Sequence, residues 1–433
     1  MLSGIAVAAA AGIAAGDDRP PPTLGVGADA KKRARDGRGT ESGDGLAIDP
    51  RPDAIEPPAP LEDLPDILIG DAALRGRIDL SSMVEREGGY DVRLEGGRRA
   101  RLTLDPALQK EAHKILVRAR APMAAIVMMA PDGRILALAG RKHGPPADEV
   151  AYELATTVWA PAASVFKLVT AAALLQAGVG PSQPVCYHGG LRSVMASNLI
   201  DDPRRDRVCN DLTFAVAESQ NAVVAKLAHK FLDGDKLTAA AAAFGLGKRV
   251  GFSLDCEASR IQVPDDDLER ARFAAGFWSS ELSALDGALL ANVVATRGMR
   301  VTPRIVSEVV EKDGKLRKVV AAAPQRALPA RVAGEIGRMM VQTTESGTAY
   351  RAFHDRRGRG ALKNIKVAGK TGSLDRDQPS YIGYSWFVGY APSDRPEVIV
   401  SVVFGNPAAW WLKAHTAARM MLEVALAGKR RPS

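Results

Sequence analysis

The chain has 433 residues, 46% apolar and 25% charged, with three cysteines and a formal net charge of +8, which leaves room for one domain of roughly 250 to 330 residues with appendages or for two ordinary domains. Those proportions exclude wholesale disorder, collagen-like repeats and a polytopic membrane protein, and three cysteines without a CxxC pair exclude a disulfide-built scaffold or a structural zinc site. The positive excess invites a nucleic-acid reading, but the arginines are scattered among alanine and glycine without a basic stripe interleaved with aromatics, so no nucleic-acid partner is expected.

Residues 1–16 are small, apolar and uncharged, like the hydrophobic part of an export signal or a short anchor, although no Lys or Arg precedes them. Residues 17–65 hold nine of the 27 prolines, the cluster Lys31, Lys32, Arg33, Arg35 and no aromatic residue. Such a stretch buries too little apolar surface to offset its ordering entropy and is expected to be a disordered linker. Short alternating runs between Gly-rich turns over 66–104 predict a small β-rich lead-in, too small to fold alone.

The main domain is expected over 105–429. A helix is predicted from Pro106 to Arg118. Two apolar runs, Ala124 to Ala130 and Arg134 to Ala139, flank Pro131-Asp132-Gly133 and predict a hairpin. Helical patterns dominate from about Ser164 to Val294. Strand patterns return at Ile365 to Ala368, Ser385 to Tyr390 and Val398 to Phe404, before a terminal amphipathic helix from about Ala408 to Leu426. Strands at both ends with helices between predict an α+β fold, whose mixed sheet unites the N-terminal hairpin with the C-terminal strands and is flanked by helices, with a helical subdomain.

Three short motifs stand in order: Ser164-Val165-Phe166-Lys167, Ser219-Gln220-Asn221 and Lys370-Thr371-Gly372. Each is a weak match alone, but each falls where the chemistry needs it. Ser164 and Lys167, three apart at the start of a predicted buried helix, share one face, and a lysine with a lowered pKa can take the proton of a serine nucleophile. A helix-capping serine and a lysine reaching to the surface fit the same residues. Ser219 and Asn221 lie at a helix-to-helix junction, where a second hydroxyl can shuttle a proton and an amide can hold a peptide carbonyl; an ordinary capped connection fits equally. Lys370, Thr371, Gly372 and Ser373 follow a strand-like run. There they can bind a carboxylate and contribute to an oxyanion hole, or they can form a Gly-rich turn.

Together the three motifs resemble the signature of the penicilloyl serine transferases, the penicillin-binding proteins and serine β-lactamases. The likeness to a penicillin-binding protein transpeptidase domain covers roughly 102–426. It extends to Leu102-Thr103-Leu104-Asp105 with Gln109, to Pro131-Asp132-Gly133-Arg134-Ile135-Leu136-Ala137, to Ser346-Gly347-Thr348-Ala349 and to Trp386-Phe387-Val388-Gly389-Tyr390. The resemblance implies a serine β-lactamase/D,D-peptidase-like fold and a serine acyl-enzyme without cofactor or metal. It implies a peptidoglycan D,D-transpeptidase acting on stem peptides that end in D-Ala-D-Ala, and β-lactam antibiotics as ligands. It also implies cell-wall synthesis machinery as partner, and an extracytoplasmic or periplasmic location tethered to the inner membrane by the N-terminus. Mapped onto this chain, Ser164 is acylated, Lys167 is its base, and Ser219 with Asn221 completes the proton network. Lys370 and Thr371 hold the terminal carboxylate beside Gly372, and the backbone N–H groups of Ser164 and Ser373 form the oxyanion hole. The chain departs from the family pattern at Ala162-Ala163, where Pro-Gly is usual, and at Ser373, where threonine is usual.

D,D-carboxypeptidase, serine β-lactamase and a catalytically silent β-lactam-binding protein are the alternatives. No Glu-x-x-Leu-Asn stands where the commonest β-lactamases carry a deacylating glutamate; Glu257, about where it belongs, lies in Cys256-Glu257-Ala258-Ser259-Arg260. A Ser-His-Asp hydrolase lacks its GxSxG elbow. Cys186 and Cys209 flank an irregular segment between the first two motifs, where either a disulfide or two isolated thiols fits.

Overall fold

The computed structural model describes residues 60–144 and 148–427. The expected export or anchor segment 1–16 and nearly all of the expected linker 17–65 lie outside the described residues. Leu61 and Leu64 are buried in the core, so packed structure begins a few residues before Pro65, where the linker was expected to end. Among the described residues no helix is long and apolar enough to cross a membrane.

The central sheet, in the order Ala368–Arg376, Ile382–Ala391, Val398–Asn406, Met123–Met129, Ile135–Lys142 and Glu149–Val150, is antiparallel throughout rather than mixed as expected, because short connections join the strands that follow one another in the chain. The N-terminal hairpin therefore joins the C-terminal strands, as its turn chemistry and apolar runs predict. Both faces are covered. Ile126 and Met128 point into a core with Ile115 and Leu116 of the helix Pro106–Ala119 and Met421 and Leu422 of the helix Ala414–Ala425. Ala125, Val127 and Met129 point the other way, into a core shared with Leu285, Ala288 and Ala291 of the helix Ala284–Ala295. Burial on two faces is why these strands read as unbroken apolar runs rather than as alternating ones. Gly287 brings the last helix against the sheet, since a Cβ there would lie 2.5 Å from Ser401 Oγ and 3.0 Å from Trp386 Cζ3.

A second helix, Lys167–Gln176, has nine residues buried, polar Lys167 and Thr170 among them. Its all-round burial explains its apolar run without amphipathic period.

The lead-in forms no sheet of its own. Val84–Arg86, Gly89–Arg93 and Arg99–Leu102 continue through Val306–Val310 and Leu316–Val320 to Ile67–Ile69, the last pair being parallel. Fully buried Asp71 ties the lead-in down by accepting from Ser253 N and Oγ (3.1 and 3.0 Å) and from Ile305 N and Val306 N (2.6 and 3.2 Å).

Two boundaries differ from expectation. The strand expected at Ile365 to Ala368 instead begins at Ala368 and runs to Arg376, so Lys370 to Ser373 are strand residues and the Gly-rich turn is excluded. The glycines are tolerated because the neighbouring strand fills their space: a Cβ on Gly369 would lie 2.2 Å from Phe387 Cζ, and one on Gly372 3.1 Å from Trp386 Cβ. The terminal helix starts at Ala414 rather than near Ala408.

Candidate active site

The first motif is set in a short 3-10 turn, Ala163–Phe166, that runs directly into the helix Lys167–Gln176. Three contacts brace it. Trp386 Nε1 donates to Pro161 O at 2.9 Å, Ala162 N donates to Ser280 O at 2.8 Å, and Gly276 packs so closely that a Cβ there would lie 2.2 Å from Ala163 O. Ala163 itself adopts φ +49°, the left-handed region that favours glycine, which gives a physical reason for the glycine usual at this place in the resembled family. The cap position belongs to Ala162 and Lys167 is fully buried, so the capping serine and the surface-reaching lysine are both excluded.

Lys167 Nζ lies 2.8 Å from Ser164 Oγ and 2.7 Å from Asn221 Oδ1, and it also donates to Ala275 O. Asn221 Oδ1 and Ala275 O can only accept. A neutral amine has two N–H bonds and one lone pair, so donation to these two acceptors leaves the lone pair facing the Ser164 hydroxyl. Burial, and secondarily the charge of Lys370, holds Lys167 well below the usual ammonium range, the direction that favours the neutral amine.

Asn221 opens the helix Asn221–Phe231, one residue after the junction from the helix Leu212–Ala217. Its Nδ2 donates to Leu191 O at 2.7 Å, so the amide is held with its oxygen toward Lys167. Ser219, at φ +56° in the same junction, accepts from Lys370 Nζ at 3.0 Å, and Lys370 also donates to Thr371 O at 2.9 Å. Burial pulls Lys370 down to about 7, against the opposing pull of Glu218. The three motifs thus form two hydrogen-bonded groups, Ser164, Lys167 and Asn221 in one and Ser219, Lys370 and Thr371 in the other, near enough for the charge of Lys370 to act on Lys167.

Ser164, Asn221, Gly276 and Ser373 line an open cleft, walled by Leu191, Arg192, Phe277, Leu374 and Asp375. The strand Ala368–Arg376 is the outer strand of the sheet, so one row of its backbone groups has no partner within the sheet and can pair with an extended peptide. Among the described residues, no group of three or more His, Cys, Asp or Glu is placed to hold a metal ion.

The family model described as the penicillin binding protein transpeptidase domain matches residues 123–422, more than half of the chain. The chain belongs to the penicillin-binding protein transpeptidase family. It is similar to penicillin-binding protein PbpB of Mycolicibacterium smegmatis, 25% identical over 340 residues, 72% of this chain and 51% of the relative. It is similar also to peptidoglycan D,D-transpeptidase PbpA of Mycobacterium tuberculosis, 24% identical over 282 residues, 62% and 55% of the two chains. The chain thus spans about half the length of these curated relatives. In fold it is similar to penicillin-binding protein A from M. tuberculosis in a penicillin G acyl-enzyme complex, with TM-score 0.60 and 21% identity over 77% of this chain and 82% of that one.

Several neighbours of the site lie outside its three motifs. Thr348 Oγ1 lies 2.6 Å from Thr371 Oγ1, and Gly347 lets it approach, since a Cβ there would lie 2.4 Å from Ala217 O. Ser346 to Ala349 carried a family likeness without a role. Ala275 and Gly276 carried no signal, because they act through a backbone oxygen and through missing bulk. Cys186 and Cys209 are joined, directly opposite each other in a two-stranded ribbon, Val185–Tyr187 with Val208–Asn210.

Proposed function

We propose that this chain is a peptidoglycan D,D-transpeptidase that works through an acyl-enzyme on Ser164. The observation that carries the proposal is the buried Lys167 Nζ 2.8 Å from Ser164 Oγ and held by the acceptors Asn221 Oδ1 and Ala275 O, an arrangement in which a neutral amine would present its lone pair to the Ser164 proton. Ser164 attacks the carbonyl between the two terminal D-alanines while Lys167 takes its proton. The oxyanion that develops is met by the backbone N–H groups of Ser164 and Ser373. Ser219, bonded to Lys370, gives its proton to the nitrogen of the departing D-alanine and is reprotonated with the proton that Lys167 took from Ser164, so that the proton is relayed and none is left over. Asn221 holds a peptide carbonyl upstream, and Lys370 with Thr371 receives the terminal carboxylate, an anion whose arrival favours the charged form of a lysine poised near 7. An amine from a second stem peptide then attacks the acyl carbon, the bond to Ser164 Oγ breaks, and the proton lost by the amine returns to Ser164. A β-lactam would enter by the same route and remain attached to Ser164.

Transfer is supported over β-lactam hydrolysis by the missing Glu-x-x-Leu-Asn pattern and by the position of Glu257. Glu257 Oε2 accepts from Val158 N at 3.0 Å and from Arg260 at 3.4 Å, and Glu257 is not among the residues lining the cleft. The Cys186–Cys209 disulfide supports an oxidising compartment outside the cytoplasm, where the segment 1–16 would serve as export signal or inner-membrane tether. The test is incubation with a peptide ending in D-Ala-D-Ala, with and without an amino acceptor, and mass spectrometry of the products. Aminolysed product with release of D-alanine is expected. Hydrolysis alone moves the assignment to D,D-carboxypeptidase, and no release above that of Ser164→Ala overturns the proposal.

A further inference from the structure

The cleft contains a cation that the proposed chemistry does not use. Arg192 is exposed on its wall beside Asn221, and its guanidinium has no ion pair or hydrogen bond among the described residues.

Its place is fixed by a built segment rather than a loose loop. Residues 188–207 leave and re-enter through the disulfide-joined ribbon. Inside the segment, Asn198 Nδ2 donates to His188 O at 2.9 Å and Asn198 Oδ1 accepts from Met195 N at 2.8 Å. Leu191 O, next to Arg192, accepts from Asn221 Nδ2 at 2.7 Å. At the far end, buried Lys226 donates to Asp206 Oδ2 at 2.6 Å and to Cys186 O at 3.0 Å. Asn221 and Lys226 lie on one helix, so the element that orients the amide also anchors the segment bearing Arg192.

The position along the strand sets what Arg192 meets. Thr371, assigned to the terminal carboxylate, and Ser373, assigned to the oxyanion, are followed by Leu374 and Asp375, which share the cleft with Arg192. At about 3.3 Å per strand residue, Asp375 lies some 13 Å beyond Thr371. That end of the cleft faces the peptide upstream of its D-Ala-D-Ala terminus. It is polarised, with a cation on the Arg192 wall and a carboxylate, Asp375, on the other, so an anion is welcome on one side only.

We propose that Arg192 is a specificity-determining residue that receives a carboxylate on the donor peptide upstream of the D-Ala-D-Ala end, so that the preferred donor carries a second acidic group besides its terminal one. This rests on the D,D-transpeptidase reading. The test uses two synthetic peptides ending in D-Ala-D-Ala, identical except that the side chain immediately before that end terminates in a carboxylate in one and a carboxamide in the other. Release of D-alanine gives kcat/KM for wild type, Arg192→Gln, Arg192→Lys and Arg192→Glu at low and high salt. Wild type is expected to prefer the carboxylate peptide by about tenfold, the scale of a charge-assisted contact. The preference shrinks at high salt, survives in part in Arg192→Lys, vanishes in Arg192→Gln and inverts in Arg192→Glu; an inversion cannot come from misfolding. Equal use of both peptides by wild type, or an unchanged ratio in Arg192→Gln, overturns the role of Arg192 and leaves the transpeptidase reading standing. Wild type that forms no penicillin adduct overturns that reading, and this proposal with it.

Discussion

Replacing Lys370 with methionine should make the protein more stable in acid while impairing its chemistry. Lys370 is fully buried, and burial lowers its pKa from 10.5 to about 7. Between those values the unfolded chain binds more protons than the folded one, so this group's contribution to stability rises with pH, and its penalty is complete below pH 7. At about 1.4 kcal/mol per pKa unit, a gap of about 3.5 corresponds to about 5 kcal/mol of destabilisation at pH 6, falling below about 1 kcal/mol at pH 10. Methionine leaves Ser219 Oγ and Thr371 O without their ammonium donor, a cost of about 1–3 kcal/mol. The variant should therefore gain about 2–4 kcal/mol at pH 6 and lose that advantage at pH 10. Urea unfolding of both proteins at the two pH values measures this, and saturation of penicillin acylation measures the functional loss, expected chiefly as weaker capture of the carboxylate. A variant less stable at pH 6, or a difference that does not change with pH, would refute the reasoning.

Lys167→Ala should reduce the limiting acylation rate about 10²- to 10⁴-fold, the usual scale of general-base loss; a near-normal limiting rate with weaker binding alone would mean that Lys167 is not the base. Because the charge of Lys370 helps to hold Lys167 low, the acid limb of acylation should move to higher pH in Lys370→Met, as a pH–rate profile will report. Gly276→Ala places a Cβ 2.2 Å from Ala163 O at φ +86°. It should cost about 2 kcal/mol or more in stability and slow acylation further by displacing Ser164, so an unchanged Tm with normal acylation would remove Gly276 as a brace. Nitrocefin should be turned over slowly, with the adduct persisting in intact-mass spectra; rapid hydrolysis would reassign the chain to the β-lactamases.

The fold's outline was legible because its signals are local. Pro131-Asp132-Gly133 between apolar runs defined the hairpin, and the apolar runs at Val398 to Phe404 and Ser385 to Tyr390 marked strands buried on both faces. The motifs were legible for a similar reason: Ser164 and Lys167 are one turn apart, and Ser219 and Asn221 share a junction. What escaped depends on long-range geometry. Lys370 and Ser219 meet across 151 residues of chain. Gly276 acts by lacking a side chain beneath Ala163, and the Ala275 oxygen is a backbone group that any residue would supply. The strands Val306–Val310 and Leu316–Val320 were not singled out; besides pairing with each other they pair with Arg99–Leu102 and Ile67–Ile69, about 200 and 250 residues earlier and before the expected domain boundary. The strand boundary at Ala368 was misplaced because glycines at 369 and 372 read as a turn until the ring of Phe387 and the Cβ of Trp386 are seen to occupy their space.

The central claim is that Ser164 is the nucleophile of an acyl-transfer site assembled by Lys167, Asn221, Ser219 and Lys370. Intact-mass spectrometry of the purified chain after exposure to penicillin, followed by peptide mapping, tests it most directly. One penicilloyl adduct on the peptide containing Ser164, absent from Ser164→Ala, is the predicted result; no adduct on the wild type, or an adduct that persists in Ser164→Ala, would contradict it.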